Sequence, residues 1–227
     1  MIRQIHLEQC DSTQDVLKEQ LSRYPGENIL ISCDLQTSGR GRGNHQWSPM
    51  PGSLYMSFSV APSVIPSFTA IELSVLVAEF FEGSKLTLKW PNDIYNHDLK
   101  KCAGILIQQS NNQMMAGIGV NLYSNNEAYG GVFNQNFECD KKSWCLELVK
   151  FINENRFTCI TELKKKWMEK CHHLNDMVVI IDGNEKISGA FRGLGEYGEA
   201  LIENSEGIHR VYNGSLRYFN PDLQELY

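Results

Sequence analysis

The segment Gln36-Thr37-Ser38-Gly39-Arg40-Gly41-Arg42-Gly43 alternates glycine with arginine, and Trp47 follows shortly after it. Glycine lets the backbone adopt positive φ, and the two arginines carry guanidinium groups that do not lose their charge. Such a loop can turn its N–H groups toward an anion while the arginines bind the anion's oxygens. A flat indole beside the loop suits a purine or another planar group. The segment therefore predicts a nucleotide-phosphate loop and, with it, adenylate chemistry.

The composition makes this cationic segment more informative. The chain has 227 residues and a formal net charge of −6, which accommodates one large domain, or one large and one small domain. An acidic chain is a poor non-specific binder of nucleic acid, because that binding needs a basic surface that displaces counterions. We therefore expect no DNA partner. A site for an anionic ligand must be built from a local cluster of cations, and Arg40 with Arg42 is the clearest one.

Seven cysteines are scattered along the chain without a CxxC pair, a pattern that favours a reducing compartment over a disulfide framework. Cys171-His172-His173 is a weak metal candidate, because adjacent residues rarely converge on one ion. The N-terminus lacks the apolar run of a signal peptide, and no stretch of about 18 apolar residues is present. We expect a cytoplasmic protein with no membrane partner.

Hydrophobic periodicity predicts an α+β domain with a mixed, largely antiparallel sheet, followed by a small all-β unit. Helices are predicted after Asp11-Ser12-Thr13, over 67–83 and over 146–170. Strands are predicted at 28–35, 53–60, 85–90, 104–109 and 114–122. Beyond about residue 175, short strands separated by turns indicate a small β-barrel. The predicted domains are 1–174 and 175–227.

Three further motifs follow the glycine–arginine segment. Lys89-Trp90-Pro91-Asn92-Asp93 ends one predicted strand, Lys101-Cys102-Ala103-Gly104-Ile105-Leu106 opens the next, and Gly117-Ile118-Gly119-Val120-Asn121 lies on a third. Together with Ser12-Thr13 and Gly39-Arg40-Gly41-Arg42, these motifs resemble those of the biotin–protein ligases, in the same order and over nearly the whole chain. A lone GRGR would be weak evidence, whereas four ordered motifs are specific.

The resemblance implies a fold and a reaction. The fold is the catalytic domain of class II aminoacyl-tRNA synthetases and biotin–lipoate ligases, followed by an SH3-like barrel. The reaction uses ATP and Mg²⁺ to form biotinyl-5′-AMP, without a tightly bound cofactor. The biotin then passes to a lysine on the biotin carboxyl carrier domain of a carboxylase. Like charges about 4 Å apart repel by about 4 kcal/mol at an effective dielectric of 20, so joining two anions requires the cations that this sequence offers.

The resemblance also assigns roles to residues. Catalytic roles go to Arg42, Lys101 and Asp93, and Asp93 either binds Mg²⁺ or helps to deprotonate the acceptor lysine. The biotin contacts are Ser12, Thr13, Gln36, Gly39, Arg40, Lys101, Gly104, Gly117 and Gly119. The nucleotide contacts are Arg40, Arg42, Trp47, Asn92, Asn121 and Arg192. Ser12, Thr13 and Gln36 would bind the ureido group, and Trp47 would stack on adenine.

The glycines among these residues have a reason in strand geometry. The period of two along a strand puts Gly117, Gly119 and Asn121 on one face. Glycines there leave a floor without side chains, on which a flat bicyclic ring can lie, and Gly104 does the same on its own strand. Taken alone, paired glycines more often mark a bulge or close strand packing.

Other residues have simpler structural interpretations. Ser12 with Asp15 resembles a helix capping box, Trp90 fits the hydrophobic core, and Lys89 in isolation fits the solvated face of an edge strand. One position departs from the family pattern: Gly43 stands where many members have a basic residue, which puts affinity for the adenylate in question.

Three other functions fit the sequence less well. A lipoate–protein ligase shares the fold and the adenylate, but its loop is richer in consecutive glycines after an arginine pair. A biotin-sensing repressor needs a DNA-binding domain, for which Ser12-Thr13 leaves no room at this N-terminus. A non-catalytic peptide-binding module conflicts with the intact set of cations. The sequence leaves open whether the chain forms a homodimer.

Overall fold

The computed structural model describes residues 1–43, 45–48, 50, 52–110, 112–124, 126–135, 139–220 and 225–226. Its centre is a seven-stranded sheet with the order β1-β2-β5-β9-β8-β7-β6. The strands are β1 Arg3–Cys10, β2 Ile29–Gln36, β5 Ser53–Val60, β6 Thr87–Lys89, β7 Asp93–Tyr95, β8 Lys101–Ser110 and β9 Gln113–Asn121. β1 pairs with β2 in parallel, and the other pairs are antiparallel. The mixed, largely antiparallel sheet is therefore confirmed.

Helices cover both faces of this sheet. Helix α1 (Thr13–Arg23) buries Leu17 and Leu21 against a small cluster on one face. On the other face lie α2 (Thr69–Phe80), α3 (Lys141–Glu154) and α4 (Ile160–Lys170), around the main core. Helix α2 is apolar nearly all round because it contacts α3, α4 and β8 together.

Three predictions about this domain need correction. The strand β1 was missed, because its half-buried residues do not alternate cleanly. The predicted helix over 146–170 is two helices, separated near Phe157, whose N–H donates to the Glu72 carboxylate at 2.8 Å. The strand predicted from residue 85 begins at Thr87, because Lys85 has a left-handed φ of 50° that an extended strand does not allow.

The C-terminal sheet is antiparallel throughout, with the order β13-β12-β11-β10-β14-β15. Its strands are β10 Met177–Asp182, β11 Glu185–Leu194, β12 Ala200–Asn204, β13 Gly207–Val211, β14 Ser215–Asn220 and β15 Glu225–Leu226. Trp90 of the larger domain contacts this C-terminal unit, since the Trp90 Nε1–H donates to Gly198 O at 3.0 Å. Trp90 is 2% exposed and belongs to the main core. Part of the predicted unit 175–227, namely residues 221–224 and 227, lies outside the described residues.

Within the described ranges, none of the helices has the length and apolar character needed to cross a membrane.

A buried ion pair joins α2 to the segment between α3 and α4. Glu72 is fully buried and accepts from Arg156 Nη2 at 2.6 Å, and Arg156 Nη1 donates to Ala61 O at 2.9 Å. We expect Glu72→Ala to lower the free energy of unfolding by about 3 kcal/mol, because it leaves a partly buried guanidinium without its counter-charge and the Phe157 N–H without its acceptor. Urea denaturation measures this change.

The matched control is Glu79→Ala on the same helix, whose partner Lys166 is half exposed at 3.5 Å. We expect its loss to stay below about 1 kcal/mol. Equal losses of unfolding free energy in the two variants would show that the Glu72–Arg156 pair contributes no more to stability than the exposed Glu79–Lys166 pair.

Candidate functional site

One cavity of about 450 Å³ lies between the central sheet, the glycine–arginine segment and the C-terminal sheet. It gathers most of the residues singled out from the sequence. Its walls include Ser12, Thr13, Gln36, Arg40, Arg42, Trp47, Asn92, Asp93, Lys101, Gly104, Gly117, Gly119 and Asn121. Gly39 and Arg192 do not line it.

The charge of the cavity is strongly positive although the chain is acidic. Six lysines and arginines line it among the described residues: Arg40, Arg42, Lys89, Lys100, Lys101 and Arg217. Among the described residues that line the cavity, Asp93 is the one carboxylate. The cavity therefore suits an anionic ligand.

The glycine–arginine segment is a hairpin rather than an open cradle of N–H groups. Strand β3 (Gly39–Arg40) pairs with β4 (Gln46–Trp47), and Gly41 N–H donates to His45 O at 2.8 Å. A Cβ on Gly39 would lie 2.8 Å from Trp47 O, so this glycine serves close strand approach. Gly43 has a φ of +58°, a conformation that favours glycine over the basic residue of many relatives. Asn44 lies outside the described residues.

The glycine floor exists, and the indole of Trp47 lies on it. Gly104 pairs with Gly119 across β8 and β9. A Cβ on Gly119 would lie 2.6 Å from Trp47 Cε2, and one on Gly104 would lie 3.1 Å from Trp47 Cζ3. Gly117 instead faces the side chain of Gln14. The indole of Trp47 thus covers Gly104 and Gly119, and the amide of Gln14 covers Gly117.

Two lysines that line the cavity, Lys101 and Lys89, lie in different environments. Lys101 Nζ pairs with Asp93 Oδ1 at 2.6 Å and lies 5.4 Å from the Trp47 ring centroid. Lys89 is 6% exposed, so its predicted solvated position is wrong. Its Nζ donates to Tyr95 OH at 3.2 Å and lies 5.2 Å from the ring centroids of both Tyr95 and Tyr218.

Burial sets the charge behaviour of Lys89. Its pKa is lowered to about 8, chiefly because burial removes the ammonium from water; Asp93 opposes this shift, and the nearby Arg217 and Lys101 add to it. The alternation of β6 correctly put Lys89 opposite Leu88. It could not show that the strand's other face is covered by the C-terminal sheet.

Arg42 connects the hairpin with both sheets. Its Nη1 donates to Asn92 Oδ1 at 3.4 Å and to Gly214 O at 3.3 Å, just before β14. Asn92 is held in turn, since its Nδ2 donates to Ile105 O at 2.5 Å. Arg42 Nη1 therefore bonds to uncharged oxygens, and no ion pair within 4 Å is found for Arg42 among the described residues. Arg40 Nη2, in contrast, pairs with Asp15 Oδ2 at 2.7 Å.

The helix-cap interpretation of Ser12 is wrong. Ser12 occupies the N-cap position of α1, but its buried hydroxyl makes no cap hydrogen bond and has no hydrogen-bond partner among the described residues. The carboxylate of Asp15 is directed to Arg40 instead of closing a capping box. Thr13 bonds to Gln36 and Ser57. Asn121 accepts from Ser53 Oγ at 3.0 Å.

Arg192 is the predicted contact that the structure places elsewhere. Its Nε donates to Glu203 at 2.6 Å and its Nη1 donates to Asn175 at 2.7 Å, on the surface of the C-terminal sheet. Arg217 lines the cavity instead. It lies on β14, a strand that the sequence patterns did not predict. Lys89 and Gln14 were also missed, although both adjoin motifs that were found.

A three-ligand metal centre is not present in the described part of the chain, where no group of three His, Cys, Asp or Glu side chains converges. His172 Nδ1 bonds to Thr87 Oγ1 at 3.1 Å, and His173 Nδ1 contacts Cys171 Sγ at 3.5 Å. The two imidazoles thus have different partners.

The profile of the biotin/lipoate A/B protein ligase family matches residues 7–133, more than half of the chain. The chain belongs to this family. It is 28% identical over 236 residues to the bifunctional ligase/repressor BirA of Escherichia coli, covering 90% of this chain and 70% of that protein. These matches include every motif from Ser12 to Asn121.

Solved members of the family have the same fold. The biotin protein ligase of Aquifex aeolicus in complex with biotin and ATP superposes with a TM-score of 0.80 at 30% identity, covering 95% of this chain and 99% of that one. The biotin acetyl coenzyme A carboxylase synthetase of Helicobacter pylori, with bound biotinylated ATP, gives 0.74 at 27% identity, covering 92% and 100%. The biotin protein ligase fold is therefore shown for both sheets.

Lys89 gives a test of the cavity's electrostatics. Because its folded-state pKa of about 8 lies below the unfolded value of 10.5, the unfolded chain binds more protons between these pH values, and stability rises with pH there. We expect Lys89→Met to abolish this rise, so that the difference in unfolding free energy between the two proteins changes by on the order of 3 kcal/mol from pH 7.5 to pH 10.5. Urea denaturation at several pH values measures it. Parallel profiles would contradict the burial of a charged Lys89.

Proposed function

We propose that this protein is an ATP-dependent biotin–protein ligase, which forms biotinyl-5′-AMP and transfers the biotin to a lysine of a biotin carboxyl carrier domain. The observation that carries this proposal is the cavity, in which six cations of the described chain line the walls beside a floor of glycines covered in part by the indole of Trp47. The similarity to ligases solved with biotin and ATP, or with biotinylated ATP, agrees with it.

In the first step, the biotin carboxylate attacks the α-phosphorus of ATP, forming an acyl–phosphate bond as pyrophosphate leaves. Both reactants are anions, and their repulsion in a site of intermediate dielectric is about 4 kcal/mol at 4 Å. In this proposal Lys101 binds the biotin carboxylate, and Arg40 and Arg42 bind the phosphates of ATP. Fixed cations of this kind stabilise the charge of the transition state without reorganising during the reaction.

Mg²⁺ would accompany ATP and neutralise phosphate charge. The donor set fits, because Mg²⁺ is usually held by one or two carboxylates together with substrate phosphates, and Asp93 supplies one carboxylate beside the Asn92 amide. Asp93 has a second proposed role, in which it takes a proton from the acceptor lysine. The 2.6 Å ion pair between Asp93 and Lys101 supports this role, because Lys101 is the residue proposed to bind the biotin carboxylate.

In the second step, the amine of the acceptor lysine attacks the acyl carbon, an amide forms, and AMP leaves. The mixed anhydride must be protected from water until then, and the β3–β4 hairpin is the proposed cover. The cations of the cavity would also lower the pKa of an incoming ammonium. Trp47 remains the proposed partner of adenine.

The organisation of the chain enters the proposal as well. We propose that residues 175–227 form an SH3-like barrel and that the catalytic domain ends near residue 174. The six-stranded antiparallel C-terminal sheet supports the first statement. The cytoplasm is the proposed location.

Isothermal titration calorimetry with biotin and with lipoate, each with and without ATP, tests the substrate. We expect biotin to bind, and we expect ATP to increase the apparent affinity for biotin because the adenylate forms. Binding of lipoate in preference to biotin would establish the lipoate–protein ligase alternative.

Arg42 tests the adenylate step. We expect Arg42→Ala to lower the rate of biotin-dependent pyrophosphate release at least about tenfold, since one charge-assisted contact to the transition state contributes about 2 kcal/mol or more. Arg23→Ala is the control, because Arg23 is paired with Glu19 on the exposed side of α1. Pyrophosphate release at the wild-type rate would remove Arg42 from the mechanism.

Arg217 and Arg192 test which cation of the C-terminal sheet contacts the nucleotide. We expect Arg217→Ala to raise the KM for ATP by about tenfold, because Arg217 lines the cavity. Arg192→Ala should raise this KM far less, because Arg192 is paired with Glu203. The reverse order would restore Arg192 as the nucleotide contact. Steady-state kinetics at saturating biotin gives both values.

A further inference from the structure

One exposed leucine lies at the mouth of the cavity, where the cavity opens to solvent. Leu99 is 57% exposed and lines the cavity, and among the described residues it is the one large apolar side chain with both properties. It stands two residues before Lys101, the residue proposed to bind the biotin carboxylate. Because two residues of extended chain span at most about 7 Å, the backbone of Leu99 lies beside the proposed reaction centre.

The backbone of Leu99 adopts an unfavourable conformation. Its φ is 54°, in the left-handed region. There the Cβ of an L-residue lies too close to the following carbonyl oxygen, so the conformation costs free energy for leucine, whereas asparagine tolerates it. The exposed side chain costs further free energy, because its apolar surface stays in water. Backbone outliers of this kind cluster at functional sites.

The turn that joins β7 to β8 holds Leu99 in this conformation. Asn96 Oδ1 accepts from Asp98 N–H at 3.1 Å and from Lys100 N–H at 3.0 Å, and Asn96 O accepts from Leu99 N–H at 3.0 Å. Asn96 is 4% exposed, and its Nδ2 donates to Gly131 O at 3.2 Å. The turn therefore presents the leucine in a fixed position, so a partner that binds it has little ordering to impose.

The second substrate needs contacts outside the cavity. Six cations line the cavity among the described residues, and the acceptor lysine carries the same sign of charge until it loses its proton. The lysine is therefore repelled as it enters. The attraction that brings the acceptor to the mouth must come from the surface around its lysine. An apolar contact can supply that attraction, because it does not depend on charge.

We propose that Leu99 is an apolar docking contact for the biotin carboxyl carrier domain and positions its acceptor lysine at the cavity. This rests on the proposed function, in which that domain is the second substrate. The partner that fits is a protein surface with a protruding lysine and an apolar patch beside it, because the lysine must enter a cavity whose mouth Leu99 lines. Leu99 is a positioning residue, since it contacts the acceptor and not the reacting atoms.

The test separates docking from chemistry by using two acceptors. The ligase with its adenylate already formed receives either the unbiotinylated carrier protein of an acetyl-CoA carboxylase or hydroxylamine. Hydroxylamine attacks the acyl carbon, biotin hydroxamate forms and AMP leaves, and this small amine needs no docking surface. Biotin-dependent pyrophosphate release measures adenylate formation. The proteins are the wild type, Leu99→Asn, Leu99→Met and the control Val64→Asn, which changes an apolar residue that is 59% exposed and outside the cavity walls.

We expect Leu99→Asn to raise the KM for the carrier protein about tenfold, because the burial of the leucine against the partner is lost. Pyrophosphate release and hydroxamate formation should keep their wild-type rates. Leu99→Met should restore most of the affinity, since it keeps an apolar side chain of similar volume. Val64→Asn should behave as the wild type in all three assays.

Thermal unfolding excludes a trivial cause. The melting temperature of Leu99→Asn should equal or exceed that of the wild type, because asparagine tolerates the left-handed φ at this position. A loss of folded protein therefore does not imitate a loss of docking.

Several results overturn the inference. An unchanged KM for the carrier protein in Leu99→Asn would remove Leu99 from docking and leave the proposed function intact. Equal losses with hydroxylamine and with the carrier protein would show that Leu99 acts on the adenylate site itself. A wild-type dimer that Leu99→Asn abolishes in sedimentation velocity, with the KM unchanged, would assign Leu99 to a contact between copies of this chain.

Failure of the proposed function gives a different result. A wild type that releases no pyrophosphate with biotin, or that transfers biotin to hydroxylamine but not to the carrier protein, would overturn the proposed reaction or its acceptor. The inference about Leu99 would then fall with it.

Discussion

Repulsion among like charges is the constraint on which this structure depends. Among the described residues, six cations and one carboxylate line the cavity, and two like charges at 4 Å repel by about 4 kcal/mol at an effective dielectric of 20. The chain handles its cations in different ways. Lys101 has a carboxylate partner in Asp93, and Lys89 lies against two aromatic rings. The hydrogen bonds of Arg42 Nη1 go to the uncharged oxygens of Asn92 and Gly214. The positive potential therefore persists where an anion would bind.

The central sheet keeps these groups in register. Asp93 pairs with Gly104, and Gly104 pairs with Gly119, so the carboxylate and two floor glycines form one row across β7, β8 and β9. A slip of one residue in any pairing would turn the floor to the opposite face and put side chains under the indole of Trp47. The buried core beneath this sheet prevents that slip, because it fixes which face of each strand is apolar.

Sequence reasoning found the parts of the site that local patterns encode. Gly117, Gly119 and Asn121 lie on one face because strand geometry requires it, and the loop residues Arg40 and Arg42 were recognisable from their alternation with glycine. The missed residues depend on tertiary contacts. Lys89 is buried because a distant part of the chain covers it, and Arg217 lies on a strand that was not predicted. Arg192 shows the opposite error, since a basic residue in the C-terminal sheet was assigned to the cavity although Glu203 holds it elsewhere.

Residues on both sides of the proposed boundary near residue 174 line the cavity. Arg42 Nη1 reaches Gly214 O at 3.3 Å, and Lys89 Nζ lies between a ring from β7 and a ring from β14 at 5.2 Å from each centroid. The hairpin that would cover the adenylate is thus attached to the C-terminal sheet through one guanidinium. Any displacement of that sheet would remove Arg217 from the wall, expose the ammonium of Lys89 to water and release Arg42. The two sheets form a single electrostatic unit, even though the family profile matches only the first of them.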